Sequence, residues 1–501
     1  MDSRRREQAT FITIFSTAFA LRLMPELWAL SYPVGYDIPI YAIKAIHFLE
    51  DDPLCMLAHP PLVFAILWVF HLLGLDIFMV LKIFSPFLYG LMMVSFYIFL
   101  RKGLGWDMNK SLFCALLCAF QPTAMRMSWD LLKMELGLTA LLFFMANFDA
   151  WRLDGKWPLI SASAVVIALA HQIPGILMFI FIAYKWWEER TLKQATMLFL
   201  QISPAISIFA IQLTIFTGII KPGPYISFRE VIWLECSYGG MPVIGVPFLR
   251  DYLLERPFRS GGWVSVALYV PLMFLACFSL LLPFAIFGFK RYGFLDALFA
   301  WLVFASFSVI AYPRAYPFAH FFRWMLIMVF PMSIYATEGA LRLAKRMRRK
   351  EILAVALVLN CIMGVGYANG FSYSYVAVPS FMEPYMPNRM TYSTMELDKL
   401  DDCKICLAWL SKHAEDGSVL VIEQRFFAWA LLWLDERIPI AVYRVDVLLD
   451  DVELGDVISS YEHIYFIWYV DQAPSWRGLG SIELFNSGDI AVYEFVGGSR
   501  A

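Results

Sequence analysis

Charged residues are scarce in this 501-residue chain, where Asp, Glu, Lys and Arg fill only 16% of positions. Soluble domains carry about 25% charged and about 45–50% apolar residues, whereas 60% of this chain is hydrophobic. Basic residues are also not in surplus, because 40 Lys and Arg face 42 Asp and Glu and leave a formal net charge of −2. The first shortage excludes a soluble enzyme and a disordered regulator. The second excludes a nucleic-acid-binding protein, whose partner is a polyanion.

Long apolar runs dominate what is present. A transmembrane helix needs about 20 mostly apolar residues, and the chain has about eleven such runs by this length criterion. They are roughly 11–30, 78–100, 111–127, 132–150, 157–172, 174–187, 195–217, 264–289, 294–312, 321–341 and 352–375. The run 60–75 is shorter and starts at Pro60 and Pro61, so we interpret it as an interfacial helix. The fold class is therefore a polytopic α-helical membrane protein.

The distribution of basic residues predicts the orientation. If the N-terminus is cytoplasmic, short cytoplasmic segments hold most of the Lys and Arg, including the run Arg342–Lys350, as the positive-inside rule requires. An odd number of spans then places the C-terminal segment outside the cytoplasm. The first apolar run is a retained helix, because Arg22, Pro25 and Glu26 stand where a signal peptide would have small residues.

The composition changes near residue 377 and divides the chain into a transmembrane catalytic domain, 1–376, and an extracytoplasmic α/β domain, 377–501. Short helix and strand patterns alternate in the second part. The helices are predicted at Asp398–Ser411 and Phe426–Leu434, and the strands at Ser418–Glu423, at Tyr461–Val470 and in a hairpin within Ile482–Phe495.

Four cysteines fall outside the apolar runs on the predicted outer side, where disulfides persist. Cys55 and Cys236 are a candidate bridge between two outer loops. Cys403 and Cys406 form a CxxC motif without a second CxxC or a histidine pair, so a local disulfide or two free thiols is favoured over a metal or redox site.

Two acidic residues stand next to ends of predicted helices on the outer side. Asp37 follows the first helix within the aromatic segment Tyr32–Tyr41, and Asp130 follows the third. Each has a plainer alternative, since Asp37 fits a turn and Asp130 fits the N-cap of the next helix. Both are followed by basic residues, and we expect both to face one outer cavity. Such a pair can deprotonate a hydroxyl or hold a divalent cation, while nearby cations bind a phosphate leaving group.

Three segments resemble motifs of the GT-C glycosyltransferases, which include protein mannosyltransferases, aminoarabinose transferases and oligosaccharyltransferases. Gly35–Tyr41 resembles the acidic motif of the first loop. His59–Leu62 (His-Pro-Pro-Leu) resembles the motif that opens an interfacial helix. Arg126–Gly137 resembles the second acidic motif, in which an Arg and a Ser precede the acid. The motifs cover about residues 1–150, and the architecture matches over the whole chain.

The resemblance implies a polyprenyl- or dolichyl-phosphate sugar donor, a protein, lipid or glycan acceptor, and inverting transfer on the extracytoplasmic face. It makes Asp37 the general base or acceptor-positioning carboxylate. Asp130 assists Asp37 or shares a divalent cation, Mg or Mn, with it. It also makes Lys44 and His59 candidates for binding the donor phosphate.

Two late arginines are further candidates for the donor phosphate. Arg314 and Arg323 flank an aromatic outer loop, where a guanidinium suits a lipid phosphate, although interfacial snorkelling is the alternative. The remaining side chains expected to support the acids or to contact the acceptor are Tyr36, Tyr41, Arg126, Glu135 and Glu235.

An absent motif and the positions of the charged residues favour some functions over others. The Trp-Trp-Asp-Tyr-Gly motif of oligosaccharyltransferases is absent from the sequence, which favours transfer of a single sugar over asparagine glycosylation. A transporter or lipid flippase is the main alternative, and it predicts ionisable residues near the bilayer midplane. Here the charged residues cluster at one predicted face, which favours an enzyme acting at the membrane surface.

Overall fold

A computed structural model describes residues 3–29, 31–50, 52–189, 192–216, 219–220, 229–234, 258–290, 292–311, 321–370, 390, 393–443, 455–470 and 480–495. Its helices in the first half are α1 (Ser3–Trp28), α2 (Ile38–Ile46), α3 (Pro53–Ala58), α4 (Leu62–Leu72), α5 (Ile77–Ile98), α6 (Met108–Ala119), α7 (Pro122–Asp130), α8 (Leu132–Leu153), α9 (Trp157–Ala170), α10 (Gln172–Glu189) and α11 (Leu192–Phe216). A π-helical turn, Phe99–Gly103, extends α5.

The second half contains both helices and strands. Its helices are α12 (Phe258–Phe278), α13 (Leu282–Gly288), α14 (Phe294–Ala311), α15 (Phe321–Ile327), α16 (Val329–Arg346), α17 (Glu351–Ala368), α18 (Leu400–His413), α19 (Gln424–Trp433) and α20 (Gly455–Ser460). The strands are β1 (Val231–Trp233), β2 (Ser418–Glu423), β3 (Ile440–Tyr443), β4 (His463–Tyr469), β5 (Ser481–Asn486) and β6 (Ile490–Phe495).

Several helices can cross a membrane, as the composition predicts. Within the described ranges, five are long and apolar enough: Arg4–Trp28, Ile77–Gly103, Thr196–Ile215, Phe321–Arg346 and Glu351–Ala368. The number rises to seven if each of two bent helix pairs counts as one span. The chain is thus an integral membrane protein, while the total of about eleven spans and the orientation stay predictions.

Two apolar runs predicted as single helices are broken. The run 111–127 is divided between α6 and α7 at a break just before Pro122, and α7 meets α8 at a bend of 120°. The run 264–289 is divided between α12 and α13, which are bent by 85°. Proline lacks an N–H and fits the first turn of a helix but not its interior, so each break falls where Pro122 and Pro283 can start a new helix.

Helix α4 has 11 residues, which at 1.5 Å per residue is about half of the hydrocarbon thickness of a bilayer. This length agrees with the interfacial interpretation of the run 60–75.

The helices α13 and α16 pack closely where they cross. A Cβ atom added at Gly288 would lie 1.7 Å from the Tyr335 carbonyl oxygen, so only glycine permits this crossing. Small residues allow such close approach between membrane helices.

The C-terminal strands form a six-stranded sheet with the order β1-β3-β2-β4-β6-β5. The strands β1, β3, β2 and β4 are parallel to one another, whereas β6 runs antiparallel to its neighbours β4 and β5. Helices α18 and α19 cover one face of the sheet together with Tyr32 and Ile43, which come from the first loop and α2. The C-terminal layer therefore packs directly against the segment that carries Asp37.

The predicted strand Ser418–Glu423 and the predicted hairpin match β2, β5 and β6, and the predicted helices overlap α18 and α19. Strand β3 was not predicted, because its four buried residues give no alternating pattern. Nor was β1, which lies between α11 and α12 and pairs with β3 across the predicted domain boundary.

Cys403 and Cys406 are not bridged, so of the two alternatives given by the sequence the free thiols are confirmed and the local disulfide is wrong. Both lie buried in α18, and the Cys406 thiol donates to the Ile490 carbonyl at 3.3 Å. They act as core residues between α18 and the sheet. The predicted partner of Cys55, Cys236, lies outside the described residues.

Candidate active site

Asp37 is the residue that precedes α2, and Pro39 lies in the first turn of that helix. A carboxylate that caps a helix accepts a hydrogen bond from the N–H groups of its first turn. The Asp37 side chain makes no such bond to α2. Capping of α2 therefore does not account for this carboxylate.

Asp130 is the last residue of α7, and it does not cap the next helix. The residue before α8 is Leu131, whose backbone (φ −97°, ψ 44°) takes the chain through the bend. Arg126, one turn earlier, donates to both Asp130 oxygens, from Nη1 to Oδ1 and from Nη2 to Oδ2 at 3.2 Å. The N-cap alternative is thus wrong, and the guanidinium sets the orientation of the carboxylate.

The two acidic segments touch through their backbones. Gly35 has φ +136°, and a Cβ atom added there would lie 1.8 Å from the Trp129 carbonyl oxygen. Any side chain at position 35 would force the segments apart, so glycine is required on steric as well as conformational grounds. Asp37 and Asp130 follow this contact by two residues and one residue, respectively.

The carboxylates of Asp37 and Asp130 influence each other electrostatically. Burial, followed by the charge of Asp130, raises the pKa of Asp37 to about 6, against the opposing charges of Arg323, Lys133 and Arg126. Loss of hydration and a like charge both disfavour the ionised form of an acid. The structure therefore brings the two predicted catalytic acids into one site.

Among the described residues, basic side chains outnumber acidic ones around this pair. Arg323, the third residue of α15, acts on Asp37, and its guanidinium centre lies 5.6 Å from the Phe322 ring centroid. The Arg323 Nε has no hydrogen-bond partner within the part of the chain that the structure describes. Arg314 and Glu235 lie outside the described residues.

Lys133 is a member of the site that the sequence analysis missed. It lies in the first turn of α8, and its charge acts on Asp37 and on His59. Its ammonium lies 4.9 Å from the Phe64 ring centroid. Lys133 stands only three residues after Asp130, and this spacing is the signal in the sequence. It points to a common site only once the bend between α7 and α8 is known.

Lys44 and His59 lie on the same side of the cluster as Lys133. Burial, followed by the charges of Lys133 and Lys44, lowers the pKa of His59 to about 3. His59 is thus neutral at physiological pH and meets an anion as a hydrogen-bond donor, not as a cation. Lys44 is buried in the last turn of α2.

Tyr41 contacts the start of α8. Its hydroxyl oxygen accepts a 3.4 Å hydrogen bond from the Lys133 backbone N–H, and its ring packs 5.6 Å from the Phe64 ring. Burial, followed by the charge of Asp37, raises the pKa of Tyr41 well above its usual value. Tyr36 is partly exposed and packs against the main helical core. Both tyrosines thus lie beside the acid pair.

Glu135 lies apart from the other predicted site residues. Its side chain is fully buried, neither carboxylate oxygen has a hydrogen-bond partner among the described residues, and the charge acting on it is that of Arg22. Glu135 therefore lies beside Arg22 in the interior of the bundle and is not among the charges that act on Asp37.

A divalent cation fits these residues poorly. The described residues contain no group of three or more His, Cys, Asp and Glu side chains placed to hold a metal ion. Each Asp130 oxygen accepts a hydrogen bond from Arg126. A magnesium ion requires several oxygen ligands, and at Asp130 it would also meet the positive charge of this guanidinium.

The fold has solved counterparts, although neither a protein-family model nor a curated protein sequence matches the chain. The cryo-EM structure of arabinofuranosyltransferase AftD from Mycobacteria is similar with a TM-score of 0.53 at 12% identity. The similarity covers 98% of this chain and 40% of that chain. A mutant form of AftD gives a TM-score of 0.49 at 12% identity, covering 97% and 42% of the two chains.

This chain therefore spans less than half the length of AftD, and the similarity extends over nearly all of the shorter chain. At this identity the similarity concerns the fold. The first-loop acid, the His-Pro-Pro-Leu segment and the second acidic segment lie together in a helical bundle that shares the fold of this arabinofuranosyltransferase. The shared fold is consistent with the GT-C resemblance that the sequence motifs predict.

Proposed function

We propose that this protein is a membrane glycosyltransferase that moves one sugar from a polyprenyl-phosphate-linked donor to an acceptor hydroxyl. The observation that carries the proposal is the acid pair Asp37 and Asp130 within a cluster of basic side chains. Two carboxylates face four cationic groups in this cluster: Arg126, Lys133, Arg323 and Lys44. The excess of positive charge suits a phosphate group.

Asp37 is the proposed general base. A pKa of about 6 lets the carboxylate be ionised at neutral pH and still accept a proton with useful driving force. The acceptor oxygen attacks the anomeric carbon as Asp37 Oδ takes its proton. The bond between that carbon and the phosphate oxygen breaks, and the phosphate leaves with the electron pair. Attack opposite to the leaving group inverts the anomeric centre.

The cations have separate proposed tasks. Arg126 is committed to Asp130 and keeps that carboxylate oriented. Arg323 and Lys133 act on Asp37 from other elements and are placed to stabilise the negative charge that develops on the departing phosphate. His59 adds a neutral N–H donor. The proposal assigns no metal ion to this step, because Arg126 occupies the Asp130 oxygens.

The experiment measures transfer by the full chain in lipid nanodiscs. Polyprenyl-phosphate monosaccharides serve as donors, beginning with arabinofuranose because the similar structure is that of an arabinofuranosyltransferase. Short glycan and lipid acceptors are supplied, and products are identified by mass spectrometry. We expect transfer by the wild type, and we expect Asp37→Asn to lose about two to four decades in kcat, as removal of a general base does.

Asp154→Asn is the matched control. This exposed carboxylate pairs with Lys156 at the C-terminal end of α8, the end opposite to Lys133. It should turn over at the wild-type rate. Wild-type turnover by Asp37→Asn would overturn the role of the acid. Translocation of intact donor across the bilayer, without transfer under any donor and acceptor combination, would overturn the enzyme and favour a flippase.

A further inference from the structure

A fully buried ion pair lies near the end of α1, next to the loop that carries Asp37. Arg22 Nη1 and Glu26 Oε1 are 2.7 Å apart, and both side chains are 0% exposed. Burial removes the hydration of both charges, so such a pair adds little net stability compared with apolar residues. A contribution to geometry is the remaining physical reason for the pair.

Arg22 binds the second acidic segment. Its Nε and Nη2 donate to the Ser128 carbonyl oxygen at 3.2 and 3.1 Å. Ser128 precedes Asp130 by two residues and lies in the last turn of α7. The guanidinium thereby fixes the end of this helix from α1, with two donors on one oxygen.

Glu26 binds the first acidic segment. Its Oε2 accepts a 3.0 Å hydrogen bond from the Val34 N–H, three residues before Asp37. The described residues between α1 and α2 form no regular secondary structure, so few backbone hydrogen bonds hold this segment. Lys82 on α5 supports the same segment, because its ammonium donates to the Tyr32 carbonyl at 3.1 Å.

We propose that Arg22 and Glu26 are positioning residues that set the separation of Asp37 and Asp130. One ion pair holds both acidic segments, each within three residues of its carboxylate. The contact of Gly35 with Trp129 limits their closest approach, and the ion pair prevents them from moving apart. Glu135, whose buried carboxyl lies near Arg22, completes the polar surroundings of the guanidinium. The inference rests on the proposed function, since it assigns the spacing of the acids a catalytic role.

Two conservative variants, Arg22→Lys and Glu26→Asp, test this positioning role. The nanodisc assay uses polyprenyl-phosphate arabinofuranose or whichever donor the wild type uses. Arg22→Lys keeps the charge but loses the fork that binds Glu26 and Ser128 together. Glu26→Asp keeps the charge but is one methylene too short to reach Val34. A misplacement of about 1 Å costs on the order of 100-fold in rate, so we expect kcat to fall by up to this factor with an unchanged donor KM.

The pH profile separates positioning from a loss of stability. The groups that face Asp37 are Asp130 and Arg126 on α7, Lys133 on α8, Arg323 on α15 and Tyr41 on α2. If the acids move apart, the repulsion from Asp130 weakens and the acidic limb of the kcat profile moves to lower pH in both variants. Gly35→Ala, which forces the segments apart with the ion pair intact, should give the same shift.

Glu338→Gln is the control, because Glu338 forms a partly buried ion pair with Lys110 and also accepts a hydrogen bond from the Tyr292 hydroxyl. It should lower the thermal midpoint without moving the acidic limb. Arg22→Lys and Glu26→Asp with wild-type kcat and pH profile would overturn the inference, and so would an equal shift in Glu338→Gln. If either Arg22→Lys or Glu26→Asp fails to fold, the kcat and pH profiles of the other variant and of Gly35→Ala test the inference. Loss of activity in Asp37→Asn tests the proposed function separately.

Discussion

The hydroxyl of Tyr32 donates a 2.6 Å hydrogen bond to Asp401 Oδ1 and so joins the loop that carries Asp37 to the first turn of α18. The Tyr32 ring packs edge-on against Trp429 and Trp433 of α19, at 5.8 and 5.7 Å. Burial and this hydrogen bond raise the pKa of Tyr32 above its usual value, so the hydroxyl keeps its proton at physiological pH. The C-terminal layer thereby stabilises one wall of the candidate site.

Removal of the Tyr32 hydroxyl should destabilise the contact between the loop that carries Asp37 and α18. Tyr32→Phe should cost about 1–2 kcal/mol, because a partly buried hydrogen bond to a charged acceptor is lost while the ring contacts remain. The thermal midpoint and hydrogen exchange of the Val34 and Asp37 amides measure the effect. Asp401→Asn keeps an acceptor oxygen and should cost less. Equal stability of Tyr32→Phe and the wild type would show that the bond contributes nothing.

The raised pKa of Asp37 predicts two pH effects. As a base it is active only when ionised, so kcat/KM should fall about tenfold per pH unit below pH 6. The folded-state pKa exceeds the ordinary value of 3.8, so ionisation costs folding free energy, and this penalty develops as pH rises from about 4 through 6. Asp37→Asn should therefore raise the thermal midpoint at pH 8 and have little effect near pH 4. A variant less stable than the wild type at pH 8 would contradict this.

Arg323 should determine donor affinity. Arg323→Ala should raise the donor KM by an amount equivalent to about 2–3 kcal/mol, the value of a charge-assisted contact. Arg323→Lys should recover only part, because an ammonium lacks the planar fork. Acceptor KM should change little. Arg346→Ala, an exposed arginine in the last turn of α16, is the control. An unaltered donor KM in Arg323→Ala would move the phosphate site to Lys44, Lys133 and His59.

Lys133 should affect both the donor and the base. Lys133→Met keeps an unbranched stem against Phe64 but removes a charge that lowers the pKa of Asp37. The acidic limb of the kcat/KM profile should therefore move to higher pH, whereas Asp130→Asn should move it to lower pH. Opposite shifts in the two variants identify both groups as neighbours of Asp37. A shift in the same direction would contradict the charge arrangement.

Removal of metal ions should leave transfer intact. Both Asp130 oxygens are held by Arg126, and a chelator such as EDTA would then have no catalytic ion to remove. Transfer rates measured in EDTA and in added Mg²⁺ or Mn²⁺ should agree within error. A rate that vanishes in EDTA and returns with Mn²⁺ would restore the shared-cation role first considered for Asp37 and Asp130.

The sequence alone determined the class of this protein, because hydrophobic burial depends on composition and run length. Apolar runs predicted membrane helices, and the acids beside them, with the His59–Leu62 segment, predicted the GT-C fold. Position beside a predicted helix end also identified Asp37 and Asp130. These features follow from residues close together in the chain.

Only the tertiary structure decided which charges meet. The 120° bend between α7 and α8 brings Lys133 to Asp37 and leaves Glu135 beside Arg22. Arg22 and Glu26 look in the sequence like residues that merely interrupt an apolar run, yet they bind segments up to 106 residues away. Periodicity reports which face of a helix is apolar and not how two helices cross. The pairing of β1 with β3 and the charge balance of the site depend on contacts across the chain, which no local pattern encodes.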